Sequence, residues 1–133
     1  APSLIEYWGE ERAAWTTPVR AYLDNEIPLS LGTDSPVVPY DPWWVLHHFT
    51  TRETISSGVV GADQKLSRDE ALRAATEGYA YLTFSEDHRG TLTVGKLADL
   101  AVTAENYLTC ADPCLETMLI DITMVGGRIV WER

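Results

Sequence analysis

One apolar segment between two helical patterns constrains most strongly what this chain can fold into. Residues 27–32 read Ile-Pro-Leu-Ser-Leu-Gly, and this alternation of apolar side chains predicts a short β-strand. A strand between helices is buried on both faces only where neighbouring strands flank it. Residues 1–85 show no second strand pattern, so we expect the sheet to be completed from outside the chain.

Helices are predicted on both sides of this segment. A capping residue followed by proline, or a capping box, satisfies backbone N–H groups at a helix N-terminus. The signals present are Thr17-Pro18, Asp41-Pro42 and the capping box of Ser67 with Glu70. The predicted helices span residues 6–15, 18–25, 41–55 and 67–82, the last with Ala71, Leu72, Ala75, Tyr79 and Leu82 facing inward.

Beyond residue 85 the pattern changes to short strands. We predict a buried strand within residues 97–102 and a hairpin of residues 119–125 and 128–131 around Gly126-Gly127, where glycine accommodates a positive φ. Residues 104–116 are predicted to form a polar loop. The chain therefore divides into a helical part, 1–85, and a strand part, 86–133.

Composition excludes several classes of function. A net charge of −10 argues against a nucleic-acid partner, which requires a basic surface. No apolar run is long enough to span a membrane, and no leader pattern opens the chain. The start at Ala1 without a methionine indicates a processed or excised product.

The two cysteines, Cys110 and Cys114, are predicted to be free thiols rather than a metal site or a bridge. Free thiols are typical of a reducing compartment, so the expected location is the cytoplasm.

Asp34 is the residue with the most chemical interest. It follows the predicted strand, at the end where catalytic groups project in barrels of alternating strands and helices. Taken alone, the pattern Gly32-Thr33-Asp34-Ser35-Pro36 is more typical of a carboxylate that closes a turn.

Several segments together resemble the closing part of the amidohydrolase superfamily. They read G-T-D-S-P-V at 32–37, D-P at 41–42, L-S-R-D-E-A-L at 66–72, G-T-L-T-V-G-K-L-A-D-L at 90–100 and V-G-G-R at 125–128. The most similar branch is the amidohydrolase-3 group, which includes N-substituted formamide deformylase-like enzymes. The motifs are specific for the superfamily and weak for substrate.

The resemblance implies an α/β fold: the C-terminal fragment of a (β/α)8 metal-dependent hydrolase barrel plus part of its small β-sandwich. Residues 1–85 would hold the last barrel strand and its flanking helices. Residues 86–133 would hold the C-terminal strands of the composite sandwich.

The resemblance also implies a hydrolase acting on non-peptide carbon–nitrogen bonds of amide or formamide type, with a small-molecule substrate. Asp34 would contact the catalytic metal and accept the proton of the attacking water. The family's histidine ligands lie on earlier strands that this chain lacks. Zinc needs three or four ligands. We therefore expect a divalent metal, zinc by the resemblance, only in the complete parent protein. The 133 residues alone are expected to bind no metal and to have no activity.

Other candidates are interpreted as structural. His47 and His48 are adjacent on a predicted helix, point about 100° apart and are assigned to packing or surface positions. His88 is assigned to a solvated turn. Trp43 and Trp44 are assigned to packing near the turn of Asp34.

Two alternatives remain open from the sequence. The first alternative to the C-terminal part of a hydrolase is a non-catalytic binding or assembly module that keeps the superfamily's closing segments. The second is one of two separately encoded chains of an enzyme. Its expected partner is the remainder of the barrel or a second copy of itself. The coding sequence upstream of Ala1 distinguishes these possibilities.

Overall fold

The computed structural model describes residues 1–38 and 40–133, and it is a mixed α/β structure with two small sheets. The helices are α1 (Pro2–Ala14), α2 (Val19–Asp24), α3 (Pro42–Thr51), α4 (Arg68–Leu82) and α5 (Asp112–Glu116), with a 3-10 turn at Ala62–Gln64. The strands are β1 (Glu53–Thr54), β2 (Gly58–Val59), β3 (Leu100–Thr103), β4 (Ile120–Val125) and β5 (Arg128–Glu132). Strands β1 and β2 form an antiparallel hairpin, and β3-β4-β5 form an antiparallel sheet in that order.

Two of the three predicted helix starts are confirmed. The Ser67 hydroxyl accepts a hydrogen bond from the Glu70 N–H, and the Glu70 carboxylate accepts one from the Ser67 N–H. Asp41 caps α3 by accepting from the N–H of Trp43 at 2.9 Å. These bonds satisfy backbone donors that a helix start leaves unpaired.

The predicted Thr17 cap is wrong. Thr17 has a φ of 52°, and its hydroxyl donates to the Thr16 carbonyl oxygen instead of capping α2. The same hydroxyl oxygen accepts from the Arg52 guanidinium at 3.1 Å. Arg52 is buried and also donates to the carbonyl oxygens of Thr16 and Val60. A long-range contact therefore holds this residue outside the capping geometry.

The predicted strand at residues 27–32 does not form. Ile27 is 48% exposed, whereas Leu31 is buried and donates its N–H to the Ala74 carbonyl oxygen of α4 at 3.3 Å. A β-strand requires a neighbouring strand to pair its backbone groups. Within residues 1–38 and 40–133 the segment has no such neighbour and packs against α4 instead.

Helix boundaries differ from prediction where the backbone turns. Helix α1 begins at Pro2 and has a non-helical Gly9, at φ 77°. Helix α3 ends at Thr51, well before residue 55, because Arg52 adopts a left-handed conformation that turns the chain into β1. Between β1 and α4 the chain forms β2 and the 3-10 turn.

The inward face of α4 is only partly as predicted. Ala71 is buried, and Leu72 and Ala75 pack against the core, but Tyr79 and Leu82 are 52% and 62% exposed. In the second half of this helix the small Ala80 is buried, whereas these two large side chains are not.

The main core lies between α3, α4 and α5. Its buried members are Val19, Leu31, Val45, Leu46, Leu66, Ala71, Ala74, Tyr107, Leu115 and Met118. Residues 104–116, predicted to be a polar loop, instead contain α5 and the buried Tyr107 and Leu115. Trp43 and Trp44 pack against this core, as predicted.

The final hairpin is confirmed. Gly126 and Gly127 have φ values of 56° and 77° and connect β4 to β5. The Asp99 carboxylate accepts from the Gly126 N–H at 2.7 Å, which anchors the turn to the chain before β3. The buried strand predicted within residues 97–102 is instead β3, Leu100–Thr103, and its Ala101 and Val102 are exposed rather than buried.

The prediction of free thiols is wrong: Cys110 and Cys114 form a disulfide that spans the start of α5. The chain that enters α5 turns so that the two sulfurs meet, which the spacing alone did not indicate. The expected cytoplasmic location, which rested on free thiols, loses that support and stays a prediction. Among the described residues, no helix combines the length and apolar character needed to cross a membrane.

Candidate functional site

Asp34 lies in an exposed turn after the segment that packs on α4. Its φ is 56°, and its carbonyl oxygen accepts from the Val37 N–H at 3.0 Å, which closes the turn. The Thr33 hydroxyl accepts from the Ser35 N–H at 3.2 Å. The Asp34 carboxylate has no hydrogen-bond partner within residues 1–38 and 40–133 and remains open to solvent. The turn is thus closed by backbone and threonine groups, and the carboxylate is not used for it.

The surroundings of Asp34 do not form a metal site by themselves. In the part of the chain that the structure describes, no set of three histidine, cysteine or carboxylate ligands includes Asp34. A single exposed carboxylate does not hold a zinc ion, which takes three or four ligands. The donor set supplied here therefore does not fit a metal at Asp34 without further ligands.

A different group of potential ligands converges elsewhere. One ligand atom from each of His47, Glu53 and Glu116 lies within 4.8 Å of the others. His47 Nε2 is 3.8 Å from Glu53 Oε2, and His47 Nδ1 is 3.7 Å from Glu116 Oε1. His47 is buried and both carboxylates are exposed. The arrangement places one imidazole below two solvent-facing anions.

Local structure fixes two of these residues. His47 is in the last two turns of α3, and the left-handed Arg52 brings Glu53 back beside it. The Glu53 backbone is held from both sides: its N–H donates to the Thr51 hydroxyl at 3.1 Å, and its carbonyl oxygen accepts from His48 Nδ1 at 2.7 Å. The end of α3 therefore positions both His47 and Glu53.

Glu116 arrives from the other part of the chain. It is the last residue of α5, which packs against α3 through the fully buried Leu115. The Cys110–Cys114 disulfide and the ion pair of Arg68 with Asp112, at 2.7 Å, hold the start of α5. The position of Glu116 is thus set by tertiary packing.

A solvent-open cavity of about 350 Å³ adjoins the group. Its lining comprises Trp44, His47, Glu53, Thr54, Ile55 and Glu116. The Trp44 ring stacks on His48 at 5.6 Å between centroids, and burial lowers the pKa of His48, which favours its neutral form. The cavity wall therefore combines one aromatic face with three ligand-type side chains.

Sequence reasoning missed this group. The assignment of His47 to packing or surface positions is correct in that its ring is buried, but the ring also faces two carboxylates. A histidine six residues before a glutamate is a weak signal, and Glu116 shares no motif with either. His88 is exposed in its turn, as predicted. No sequence pattern would have joined the three residues.

Comparison with known proteins identifies the class of this chain. The model of the amidohydrolase family, in its amidohydrolase-3 form, matches residues 1–131. The chain belongs to the amidohydrolase family. A solved amidohydrolase from Thermotoga maritima MSB8 has the same fold over 89% of this chain and 27% of its own, with a TM-score of 0.66 at 19% identity.

Three curated relatives are similar in sequence. The chain is 30% identical to N-substituted formamide deformylase of Arthrobacter pascens over 99% of its length, and 24% identical to the putative amidohydrolase YtcJ of Bacillus subtilis (strain 168) over 99%. It is 30% identical over 86% of its length to imidazolonepropionase of Christiangramia forsetii. The chain spans 26% of the length of each relative, so about a quarter of these proteins is represented.

Proposed function

We propose that this chain is the C-terminal part of a metal-dependent hydrolase that acts on non-peptide carbon–nitrogen bonds, of amide or formamide type, in a small molecule. Membership of the amidohydrolase family supports hydrolysis at carbon–nitrogen bonds, and the deformylase relative favours a formamide-type substrate. In this proposal residues 1–85 belong to the closing part of a (β/α)8 barrel. Residues 86–133 belong to a small β-sandwich.

The observation that carries the proposal is the unengaged carboxylate of Asp34. The turn that holds it is closed by other groups, so the carboxylate is available for a reactant. A carboxylate within hydrogen-bond reach of an attacking water accepts its proton and returns it to the leaving nitrogen. We assign both proton transfers to Asp34.

The amidohydrolase family generally uses a divalent metal, which acidifies a bound water. The described residues around Asp34 do not supply a ligand set for it. Further ligands would have to come from the rest of the parent protein. The role assigned to Asp34 is therefore limited to holding and moving the proton.

The proposal predicts the effect of Asp34→Asn in the full-length parent. Asparagine keeps the shape of the side chain but removes its basicity, so turnover of a formamide or amide substrate should fall by roughly 10²–10⁴-fold. The melting temperature should change little, because the Asp34 side chain is exposed and makes no hydrogen bond to the described residues. Steady-state kinetics and a thermal melt measure both effects.

Asp87→Asn is the matched control, since Asp87 is also exposed in a turn and loses the same charge. It should retain normal turnover. Normal turnover in Asp34→Asn would refute the catalytic assignment. An inactive parent that binds ligands without turning them over would favour the alternative of a binding or assembly module.

A further inference from the structure

We propose that His47, Glu53 and Glu116 form a binding site for a divalent transition-metal cation. The site shares no residue with the turn of Asp34 and does not depend on the proposed hydrolase activity. One ligand atom from each side chain already lies within 4.8 Å of the others. Imidazole and carboxylate groups are both established ligands of zinc.

The burial of His47 is the observation that points to a ligand. Its side chain is only 7% exposed, and neither ring nitrogen makes a hydrogen bond to the described residues. The ring lines the solvent-open cavity beside the two carboxylates, and its nitrogens are not among the fully buried atoms that lack a partner. A cation that enters the cavity can therefore reach a ring nitrogen that is held in place by the burial of the rest of the side chain.

An ion at this site would bond to one ring nitrogen and to both carboxylates. Glu53 lies 3.8 Å from Nε2 and Glu116 lies 3.7 Å from Nδ1, so one carboxylate would have to turn toward the nitrogen that faces the other. Both separations are too long for hydrogen bonds. Ligand atoms bonded at about 2.0–2.2 Å to a tetrahedral zinc ion lie about 3.4 Å apart. Glu53 and Glu116 are 57% and 56% exposed and carry no other ion pair among the described residues, so small side-chain rotations suffice.

Electrostatic repulsion between the two carboxylates is a second argument for a cation at this site. Two carboxylates that converge without a cation repel each other, and a divalent ion removes that repulsion. The exposed rim leaves a fourth coordination position for water and a path for the ion to enter. One imidazole with two carboxylates matches zinc or manganese better than calcium, which prefers six to eight oxygen ligands.

The site would join α3, β1 and α5. His47 and Glu53 belong to the end of α3 and the start of β1, whereas Glu116 ends α5. A bound ion would therefore clamp the helical part of the chain to the segment that follows β3. Anything that binds the folded state alone stabilises it, so zinc should raise the melting temperature.

The competing explanation is that His47 contacts the two carboxylates directly, without a metal. Both explanations place the same residues together, but only the first predicts stoichiometric binding of zinc. Direct titration distinguishes them.

The experiment is calorimetric titration of the oxidised chain with zinc chloride at pH 7.5. Reducing agents are omitted, because they would release the Cys110 and Cys114 thiols as rival ligands. We expect one zinc per chain. The double variant Glu53→Gln with Glu116→Gln should bind at least 100-fold more weakly. Magnesium should not compete.

The control is Glu105→Gln with Glu132→Gln, which removes two exposed carboxylates elsewhere and the same total charge. It should bind zinc within about twofold of the unsubstituted chain. As a second measurement, ¹⁵N NMR of the unsubstituted chain should show one His47 ring nitrogen shifting on addition of zinc. This readout avoids replacing a buried residue.

Two results would overturn the proposal. The first is no stoichiometric zinc in the unsubstituted chain. The second is equal binding by both double variants with an unmoved His47 resonance, which would mean an adventitious ion only.

Discussion

At the scale of single residues, the pair of Arg20 and Glu70 shows how one carboxylate serves two elements. Arg20 donates to both Glu70 oxygens, at 3.0 and 2.7 Å, while Glu70 also completes the capping box of α4 with Ser67. The hydrogen bonds from Arg20, followed by those from Ser67, lower the pKa of Glu70 to about 2, against the opposing effect of burial. The pair joins α2 to the start of α4.

This pKa predicts how stability depends on pH. The pKa of Glu70 in the folded state lies below its usual value of 4.5. The stabilisation of the folded state by ionised Glu70 is therefore complete above pH 4.5 and is lost as the pH falls toward 2. Glu70→Gln should lower the free energy of unfolding at pH 7 by about 1–2 kcal/mol, after allowance for solvent screening of a partly exposed pair. The substitution should also make the free energy of unfolding decrease less between pH 4.5 and pH 2.

Urea denaturation at several pH values measures this, with Glu105→Gln as the exposed control. An acid profile that is unchanged by Glu70→Gln would show that the pair does not couple to folding.

At the scale of elements, the segment of residues 27–32 depends on a close approach to α4. A Cβ added at Gly78 would collide with the carbonyl oxygen of Leu29. The backbone of Gly78 itself needs no positive φ, so space and not conformation selects glycine here. This contact places the chain that leads into the turn of Asp34.

Gly78→Ala tests that contact. In an open helix this change is favourable by about 1 kcal/mol. Here the forced displacement should instead reduce the free energy of unfolding by about 1–3 kcal/mol. Gly32→Ala is the matched control, because a Cβ at Gly32 meets nothing within 4 Å. A neutral or stabilising effect of Gly78→Ala in denaturant titrations would contradict the close packing of residues 27–32 on α4.

At the scale of the whole molecule, much apolar surface is uncovered. Tyr7 and Trp8 in α1 and Trp15 just after it are 79%, 55% and 57% exposed. Exposed apolar surface marks an interaction surface where it is contiguous over several hundred Å². Together with a chain that spans 26% of its relatives, this exposure favours the expected partner, the remainder of the barrel or a second copy.

The prediction is that the chain self-associates on its own. Sedimentation velocity should show a weight-average mass that rises with concentration, and a hydrophobic dye should fluoresce with the chain. Trp8→Gln with Trp15→Gln should reduce both effects. Leu92→Gln with Val94→Gln, in a separate exposed segment, should reduce them less. A dye-silent monomer at high concentration would contradict the expectation.

The sequence by itself determined the features that depend on neighbours a few residues away. The Asp41 cap, the capping box of Ser67 with Glu70 and the Gly126-Gly127 hairpin could be predicted because their hydrogen bonds form within short stretches of chain. Family membership was likewise recoverable, because the motifs that carry it are local.

Tertiary structure decided everything that needs a distant partner. The segment of residues 27–32 has strand character, but a strand is defined by the backbone it pairs with, and α4 lies beside it instead. The convergence of His47, Glu53 and Glu116 depends on α5 packing against α3. Such contacts arise from burial of apolar surface across the whole chain, and no local spacing encodes which side chains that burial brings together.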